Sequence, residues 1–208
     1  MNETRGRAMF IVLEGGEGSG KSTQVPRLAR RLRESGRDVV VTFEPGATVR
    51  GAELRRFLLD NEDPLDPRAE MLVMAADRAQ HVADVVRPAL ARGADVVSDR
   101  FEPSTLAYQG SARGLGVEEV ERVSRWASGG MQPDLVIVLD VPDEVADARV
   151  PSSRDRVEAA GTGFHAAVRA AYRELAPGRG WVVLDGSGTP DEVTESVWST
   201  VVEALGPL

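Results

Sequence analysis

Gly15-x-x-x-x-Gly20-Lys21-Ser22 places a lysine and a hydroxyl directly behind a glycine-rich turn. Polyphosphate binding is the chemistry that needs this spacing. A loop that wraps backbone N–H groups around phosphate oxygens must hold crowded or positive backbone angles, which glycine tolerates. The helix that follows adds the partial positive charge of its N-terminus. Lys21 would neutralise the outer phosphates, and Ser22 would offer a hydroxyl to Mg²⁺. The flanks agree: Met9 to Leu13 is an apolar run of strand length, and an amphipathic pattern (Val25, Leu28, Ala29, Leu32) begins after Thr23. Lys21 is also the only lysine among 25 basic residues. A compact ammonium is kept at the one place where a point charge suits phosphates. Gly15, Gly16, Glu17, Gly18, Ser19, Gly20, Lys21, Ser22 and Thr23 are therefore expected to bind a nucleoside triphosphate.

Asp99-Arg100 closes a second apolar run. An acid there can hold the shell of a Mg²⁺ ion, and the arginine beside it can grip a phosphate bidentately. Leu135 to Asp140 repeats the apolar-then-acid pattern, but Val141-Pro142 follows it, so Asp140 reads as a helix cap and Asp99 as the metal acid. Arg149, Arg154 and Arg156 stand in a stretch too polar for a core. They suit a lid, at about 149–157, whose arginines close over a transferring phosphoryl group. Ser128-Gly-Gly-Met-Gln132 looks like a transport-ATPase signature, yet it follows a helix and is read as a helix stop. Switch GTPases need an Asn-Lys-x-Asp base reader, which a chain with one lysine, already used in the loop, cannot supply.

These groups must be positioned by an alternation of strands and helices. Strands are expected at about 9–14, 38–42, 94–98, 135–139 and 181–184, and helices at about 20–35, 50–60, 68–92, 103–110, 117–128, 143–149, 162–176 and 190–205. That order predicts an α/β fold of three layers, a five-stranded parallel sheet flanked by helices. Ligands of such sheets sit at the carboxyl ends of the strands, where Glu17, Glu44, Asp99, Asp140 and Asp185 fall. The 208 residues suit a polar leader at 1–8 and a single domain at 9–208. The leader lacks a signal-peptide apolar region, no apolar run reaches the length of a membrane span, and there is no cysteine. A cytoplasmic protein without a disulfide framework is expected. His81 and His165 are too far apart in sequence to suggest a zinc centre. The net charge of −8 argues against a nucleic-acid polymer and against no mononucleotide, which needs only a few placed arginines.

Several segments go further than the loop. Phe10 to Gln24, Glu44-Pro-Gly-Ala-Thr48, Leu54-Arg55, Ala76-Asp-Arg-Ala-Gln-His81, Asp155-Arg156, Asp185-Gly-Ser187 and, most specifically, Ser98-Asp-Arg-Phe-Glu-Pro-Ser-Thr-Leu-Ala-Tyr-Gln-Gly110 resemble the bacterial thymidylate kinases. The resemblance runs from about Phe10 to the C-terminus. It implies a P-loop NTPase fold, ATP and Mg²⁺, dTMP as acceptor, and a homodimer. On that resemblance Glu17 would lie near the transferring group and Asp185 in the adenine-side loop. Glu44 and Pro45 would border the acceptor; Arg55 and Arg100 would bind its phosphate. Arg78 would reach the thymine edge, Thr105 and Gln109 would face the base, and Tyr108 would pack on the sugar. Gly18 stands where eukaryotic-type enzymes carry an arginine, so Arg149, Arg154 or Arg156 would supply the catalytic cation.

The departures cluster on the acceptor side. Phe43 stands where relatives usually have Arg, Ala47 replaces a glycine, Phe101 replaces a tyrosine and Pro103 an aspartate. Met74 takes the place of the aromatic that stacks on thymine, and the lid is about two residues short. Two other expectations compete with dTMP phosphorylation: a kinase for dUMP or a 5-modified pyrimidine deoxynucleotide, and a nucleotide-binding protein without turnover.

Overall fold

Short strands buried on both faces read as continuous apolar runs, and that is how the centre of this molecule is built. A computed structural model describes residues 7–60, 63, 65–149 and 162–206. Strand β1 (Phe10–Glu14) leads into helix α1 (Lys21–Glu34), then β2 (Val39–Phe43) and α2 (Val49–Leu59). Helix α3 (Pro67–His81) continues through a π-helical segment (Val82–Val86) into α4 (Arg87–Ala91). After β3 (Asp95–Asp99), a short α5 (Glu102–Thr105) runs into a second π-helical segment (Leu106–Ala112), followed by α6 (Val117–Ala127). The described chain ends with β4 (Leu135–Asp140), α7 (Asp143–Arg149), α8 (Thr162–Arg179), β5 (Val182–Asp185) and α9 (Pro190–Leu205). The expected lid falls at the end of α7 and, beyond Arg149, outside the described residues.

The strands form one parallel sheet in the order β2-β3-β1-β4-β5. β1 lies central, with Leu13 opposite Asp99 on one side and Ile137 on the other. Alternate β1 side chains serve opposite layers. Ile11 and Leu13 pack with Leu28 and Leu32 of α1 and Val197 and Val201 of α9, whereas Phe10 and Val12 pack with Val82, Val86, Ala107 and Tyr172. This three-layer α/β arrangement is the P-loop NTPase fold. It brings the ends of β1, β2 and β3 together at one edge, where the chain reverses direction about β1 and opens a crevice.

Capping and local chemistry explain several boundaries. Thr48 caps α2 through Gly51 N–H, and Asp66 caps α3 with Pro67 at the first turn. Thr189 and Glu192 form a reciprocal capping box on α9. Ser128-Gly129-Gly130 is the expected helix stop, with both glycines at positive φ and Gly130 N–H donating to Arg125 O at 2.9 Å. Asp140 is a correction. Among the described residues it caps no helix but accepts from Arg173 Nε of α8 at 2.8 Å, because α7 begins only after Pro142.

Candidate active site

The loop after β1 owes its shape to glycine. A Cβ on Gly15 (φ 137°) would lie 2.3 Å from Leu139 O, and one on Gly18 (φ 72°) 2.5 Å from Ala146 O. Gly20 occupies the N-cap of α1 in the left-handed region and provides no side chain to cover the first-turn amides. Lys21 Nζ reaches back across the loop and donates to Gly15 O at 2.9 Å, Gly16 O at 2.8 Å and Ser19 Oγ at 3.2 Å. Burial, with the neighbouring Arg100 charge, lowers the Lys21 ammonium to about 7, while Asp99, Glu14 and Glu17 pull the other way. Bordering this loop, Ser19, Gly20, Thr23, Gln24, Arg149, Gly186, Gly188, Pro190 and Val193 line a crevice. Arg149 donates there to Gly186 O at 2.8 Å and Ser187 O at 3.1 Å. Asp185, exposed at the end of β5, accepts from Ser187 N–H at 2.8 Å, which folds the same loop.

A second cleft opens on the other side of the loop. Glu17, Glu44, Pro45, Arg55, Met74, Arg100, Tyr108 and Gln109 line it, so residues spread over nearly a hundred positions meet in one place. Leu58, Leu59, Glu70, Ser104 and His165 complete the lining. Arg55 donates to the O of Pro45, the proline of the cis Glu44–Pro45 peptide, at 2.8 Å, and lies over the exposed Phe43 ring. Arg100 occupies the left-handed region (φ 72°), a conformation that costs a non-glycine residue about 1–3 kcal/mol and recurs at functional sites. Its Nη1 donates to Ser104 Oγ at 3.1 Å and its Nη2 to Tyr108 OH at 3.1 Å.

Buried networks behind the cleft hold these side chains. Glu14, at the end of β1, accepts from Phe101 N–H and Tyr172 OH at 2.8 Å and from Ser104 Oγ at 2.6 Å, with Ser104 N–H at 3.3 Å. Burial raises its pKa, and Arg100 and those hydrogen bonds oppose the rise. A second network joins Thr42 Oγ1 to His81 Nε2 (2.6 Å), His81 Nδ1 to Glu44 Oε1 (2.8 Å) and Arg78 Nε to Glu44 Oε2 (3.0 Å). Arg78 also donates to Ser124 Oγ and Thr105 Oγ1. Arg78 and Thr105, expected at the base, are therefore placed behind the cleft wall: the guanidinium is fully buried and occupied by the Glu44 turn and α6. Asp77 accepts from Gly46 N–H at 3.1 Å, and burial beside Glu44 pushes it up to about 6.

The donor set also tests the expected metal. Ser22 is exposed on the first turn of α1 and Asp99 partly exposed at the end of β3. Among the described residues no cluster of three or more His, Cys, Asp or Glu side chains gathers to hold a metal. Two hard oxygen donors fit Mg²⁺, which keeps its waters and takes the rest of its shell from substrate phosphates.

Comparison with known proteins decides the family. The model of the thymidylate kinase family matches residues 13–197. The chain belongs to this family. It is 50% identical over 194 residues to the thymidylate kinase of Leifsonia xyli, covering 91% of this chain and 92% of that one. The thymidylate kinase of Synechococcus sp. strain JA-2-3B'a(2-13) is 48% identical over 202 residues, covering 96% and 97%; that of Halothermothrix orenii is 44% identical over 204, covering 96% and 99%.

Within the family frame, two departures have structural reasons. Phe101 is fully buried, edge-on to Phe10 at 4.9 Å and beneath the Arg78 guanidinium, an apolar place with no need of a hydroxyl. Pro103 sits in the first turn of α5, where no donor is required. Of the three arginines expected as catalytic cation, Arg149 spends its guanidinium on the β5–α9 loop, and Arg154 and Arg156 lie outside the described residues. Sequence reasoning missed Glu14, Glu70 and His165. Glu14 carried a signal, an acid ending an apolar strand. Glu70 and His165 carried none, since long-range folding alone brings them to the cleft.

Proposed function

We propose that this chain transfers the γ-phosphoryl group of ATP to the phosphate of dTMP. The observation that carries the reading is the amide of Gln109. Its Nε2 donates to Glu70 Oε1 at 2.9 Å, while its buried Oε1 has no protein partner among the described residues. A carboxylate can only accept, so the amide nitrogen must face Glu70 and the carbonyl is left as an acceptor in the cleft wall. Thymine and uracil carry an N3–H that such an acceptor satisfies; cytosine carries a lone pair there. Leu58, Leu59 and Met74 line the same cleft and suit the 5-methyl group, which a fitted apolar wall favours by about 10-fold or more over hydrogen.

In this reading the N–H groups of Gly15 to Thr23 and Lys21 hold the ATP phosphates. Arg149 and the β5–α9 loop border the adenine. Arg55 and Arg100 grip the acceptor phosphate, and Glu44 and Pro45 shape its turn. Glu17, which lines the acceptor cleft from within the phosphate loop, stands between the two substrates. Ser22 and Asp99 would hold Mg²⁺, whose charge, when bound, offsets that of the phosphates. The protein's contribution is alignment and charge rather than covalent chemistry. Arg149, Arg154 or Arg156 would supply the cation on the moving group.

The proposal includes a single domain, a cytoplasmic location and a homodimer. No described helix is long and apolar enough to cross a membrane. The family resemblance and the exposed Leu72 of α3 and Trp126 of α6 support pairing through those helices, which sedimentation of the purified chain checks. The activity is tested by ADP formation with ATP·Mg²⁺ and dTMP, dUMP, dCMP, dGMP or the ribose analogue of dTMP, with Lys21→Ala as control. Preference for dTMP, lost in the variant, is expected. Preference for another monophosphate would overturn the acceptor, and no turnover with any of them the kinase itself.

A further inference from the structure

Gln109 can choose between pyrimidines only if its amide is prevented from turning over, because a rotated amide presents a donor where the carbonyl stood. The group that prevents it is Glu70, in the first turn of α3, 1% exposed and some forty positions earlier in the chain. Its Oε1 takes the Gln109 N–H at 2.9 Å. Arg113 closes on the same carboxylate from the far side, Nε to Oε1 and Nη2 to Oε2, each at 3.4 Å. Arg113 is itself fixed, with its guanidinium 4.5 Å from the centre of the Phe164 ring. An acceptor-only group between two donors has no alternative arrangement.

We infer that Glu70 is a specificity-determining positioning residue: clamped by Arg113, it locks the Gln109 amide with its carbonyl toward the acceptor base, and so selects pyrimidines with an N3–H over cytosine. The inference rests on the pyrimidine monophosphate kinase reading above. It assigns Glu70 no contact with the reacting atoms.

An isosteric change separates this role from a structural one. In Glu70→Gln the new amide must offer its oxygen to Arg113, since its NH₂ group would oppose the guanidinium. Its NH₂ then faces Gln109, which satisfies it by turning its own carbonyl inward and its NH₂ toward the base. Thymine N3–H then meets a donor, and cytosine N3 meets a partner. Misplacing one buried hydrogen bond of this kind costs about 10- to 100-fold. The experiment measures kcat/KM for dTMP, dUMP and dCMP in the wild type, Glu70→Gln and Glu70→Met, with ATP affinity and melting temperature as checks of folding. Glu70→Gln is expected to lose about 10- to 100-fold on dTMP and dUMP together, with dCMP unchanged or improved, so that the dTMP:dCMP ratio falls at least tenfold. Glu70→Met keeps the volume and removes the acceptor; the freed amide gives a smaller fall in the ratio. If Glu70→Gln does not bind ATP normally, the ratio in Glu70→Met decides. A ratio that stays at the wild-type value in a folded variant, whether or not overall activity drops, overturns the inference. A wild type that phosphorylates no pyrimidine monophosphate overturns the underlying reading instead.

Discussion

On the ATP side of the central strand the ligand-facing groups are mostly backbone, fixed by glycines whose missing Cβ atoms would strike Leu139 O and Ala146 O. On the acceptor side they are side chains: Arg55, Arg100 and Gln109, held by Pro45 O, Ser104 Oγ and Glu70, and Tyr108, whose hydroxyl accepts from Arg100. A backbone cradle serves the part of ATP common to many enzymes, and few substitutions are compatible with its angles. A side-chain cleft recognises one small molecule and can be retuned from behind. Of the positions where the resemblance implies a departure from the family pattern, Met74 lines the second side and Phe43 lies against Arg55, which lines it too.

The largest effects should come from the ATP side. Lys21→Ala is expected to lower kcat by about 10³-fold while the KM for dTMP moves only a few fold, as judged by steady-state kinetics. Lys21 also links ATP binding to pH. Its pKa of about 7 in the free protein lies below the ordinary lysine value, and bound phosphates raise it again. The free protein is half neutral at this side chain near pH 7 and mostly neutral from about pH 8 to 9, while the complex stays protonated, so proton uptake on binding rises from about a half toward one. Titration calorimetry in buffers of different ionisation enthalpy should show that uptake, with ATP binding up to tenfold weaker per pH unit, and Lys21→Ala should abolish it.

On the acceptor side, breaking a supporting network should matter nearly as much as touching the cleft. Glu14→Gln keeps the volume and one acceptor oxygen, enough for Phe101 N–H and Ser104 N–H, but sets an NH₂ group where Ser104 Oγ–H and Tyr172 OH now donate. Arg100, in its left-handed conformation, then loses the loop that holds it. We expect about 10²-fold lower kcat/KM for dTMP and a loss of about 2–4 kcal/mol of stability, with ATP affinity within a few fold of wild type. Equal loss of ATP and dTMP affinity would erase the distinction between the two sides.

The same contrast explains what was legible in the sequence. Strands β1, β3 and β4 and helices α1, α6 and α9 are recovered within a residue or so, because two-sided burial and helical periodicity leave plain patterns in the order of residues. The two π-helical segments, Val82–Val86 and Leu106–Ala112, leave no such pattern and were expected as α-helix. The phosphate loop is readable as a motif because its function resides in local backbone. Glu70 beneath Gln109, and His165 facing Glu17 at 3.8 Å, depend on elements far apart in the chain. Resemblance could name candidates for the acceptor cleft; that Arg55, Arg100, Tyr108 and Gln109 line it, while Arg78 and Thr105 are buried against each other, is set by contacts between distant elements.

A smaller effect should appear in stability. Asp77 is buried beside Glu44, with a pKa of about 6 against 3.8 for an ordinary aspartate. A carboxyl whose pKa rises on folding holds its proton longer in the native state, so folding becomes less favourable as pH climbs from about 4 to 6. The full penalty remains above that window. Asp77→Asn removes the charge and keeps an acceptor for Gly46 N–H. It should therefore be about 1–3 kcal/mol more stable than wild type at pH 7.5 and equal to it below about pH 4, by denaturant unfolding at each pH.

Met74→Phe should give the smallest effect, and it bears most directly on how far the acceptor side can be retuned. Met74 lines the cleft with Leu58 and Leu59, in the place where the family resemblance implies an aromatic ring. A thioether over a base face gains about 0.3–1.5 kcal/mol, and a stacked ring about 0.5–1.5 kcal/mol beyond its area. The two ranges overlap, so the exchange is worth about half a kcal/mol, or two- to threefold in the KM for dTMP, with kcat unchanged. The flexible methionine also adapts to bases of different outline, whereas a ring rewards a flat, close-fitting one. Met74→Phe should then widen the preference for dTMP over bulkier 5-substituted deoxyuridine monophosphates by a similar factor. If KM rises tenfold instead, the cleft is filled by Met74 to its limit, and the acceptor side is as intolerant of change as the glycine loop opposite.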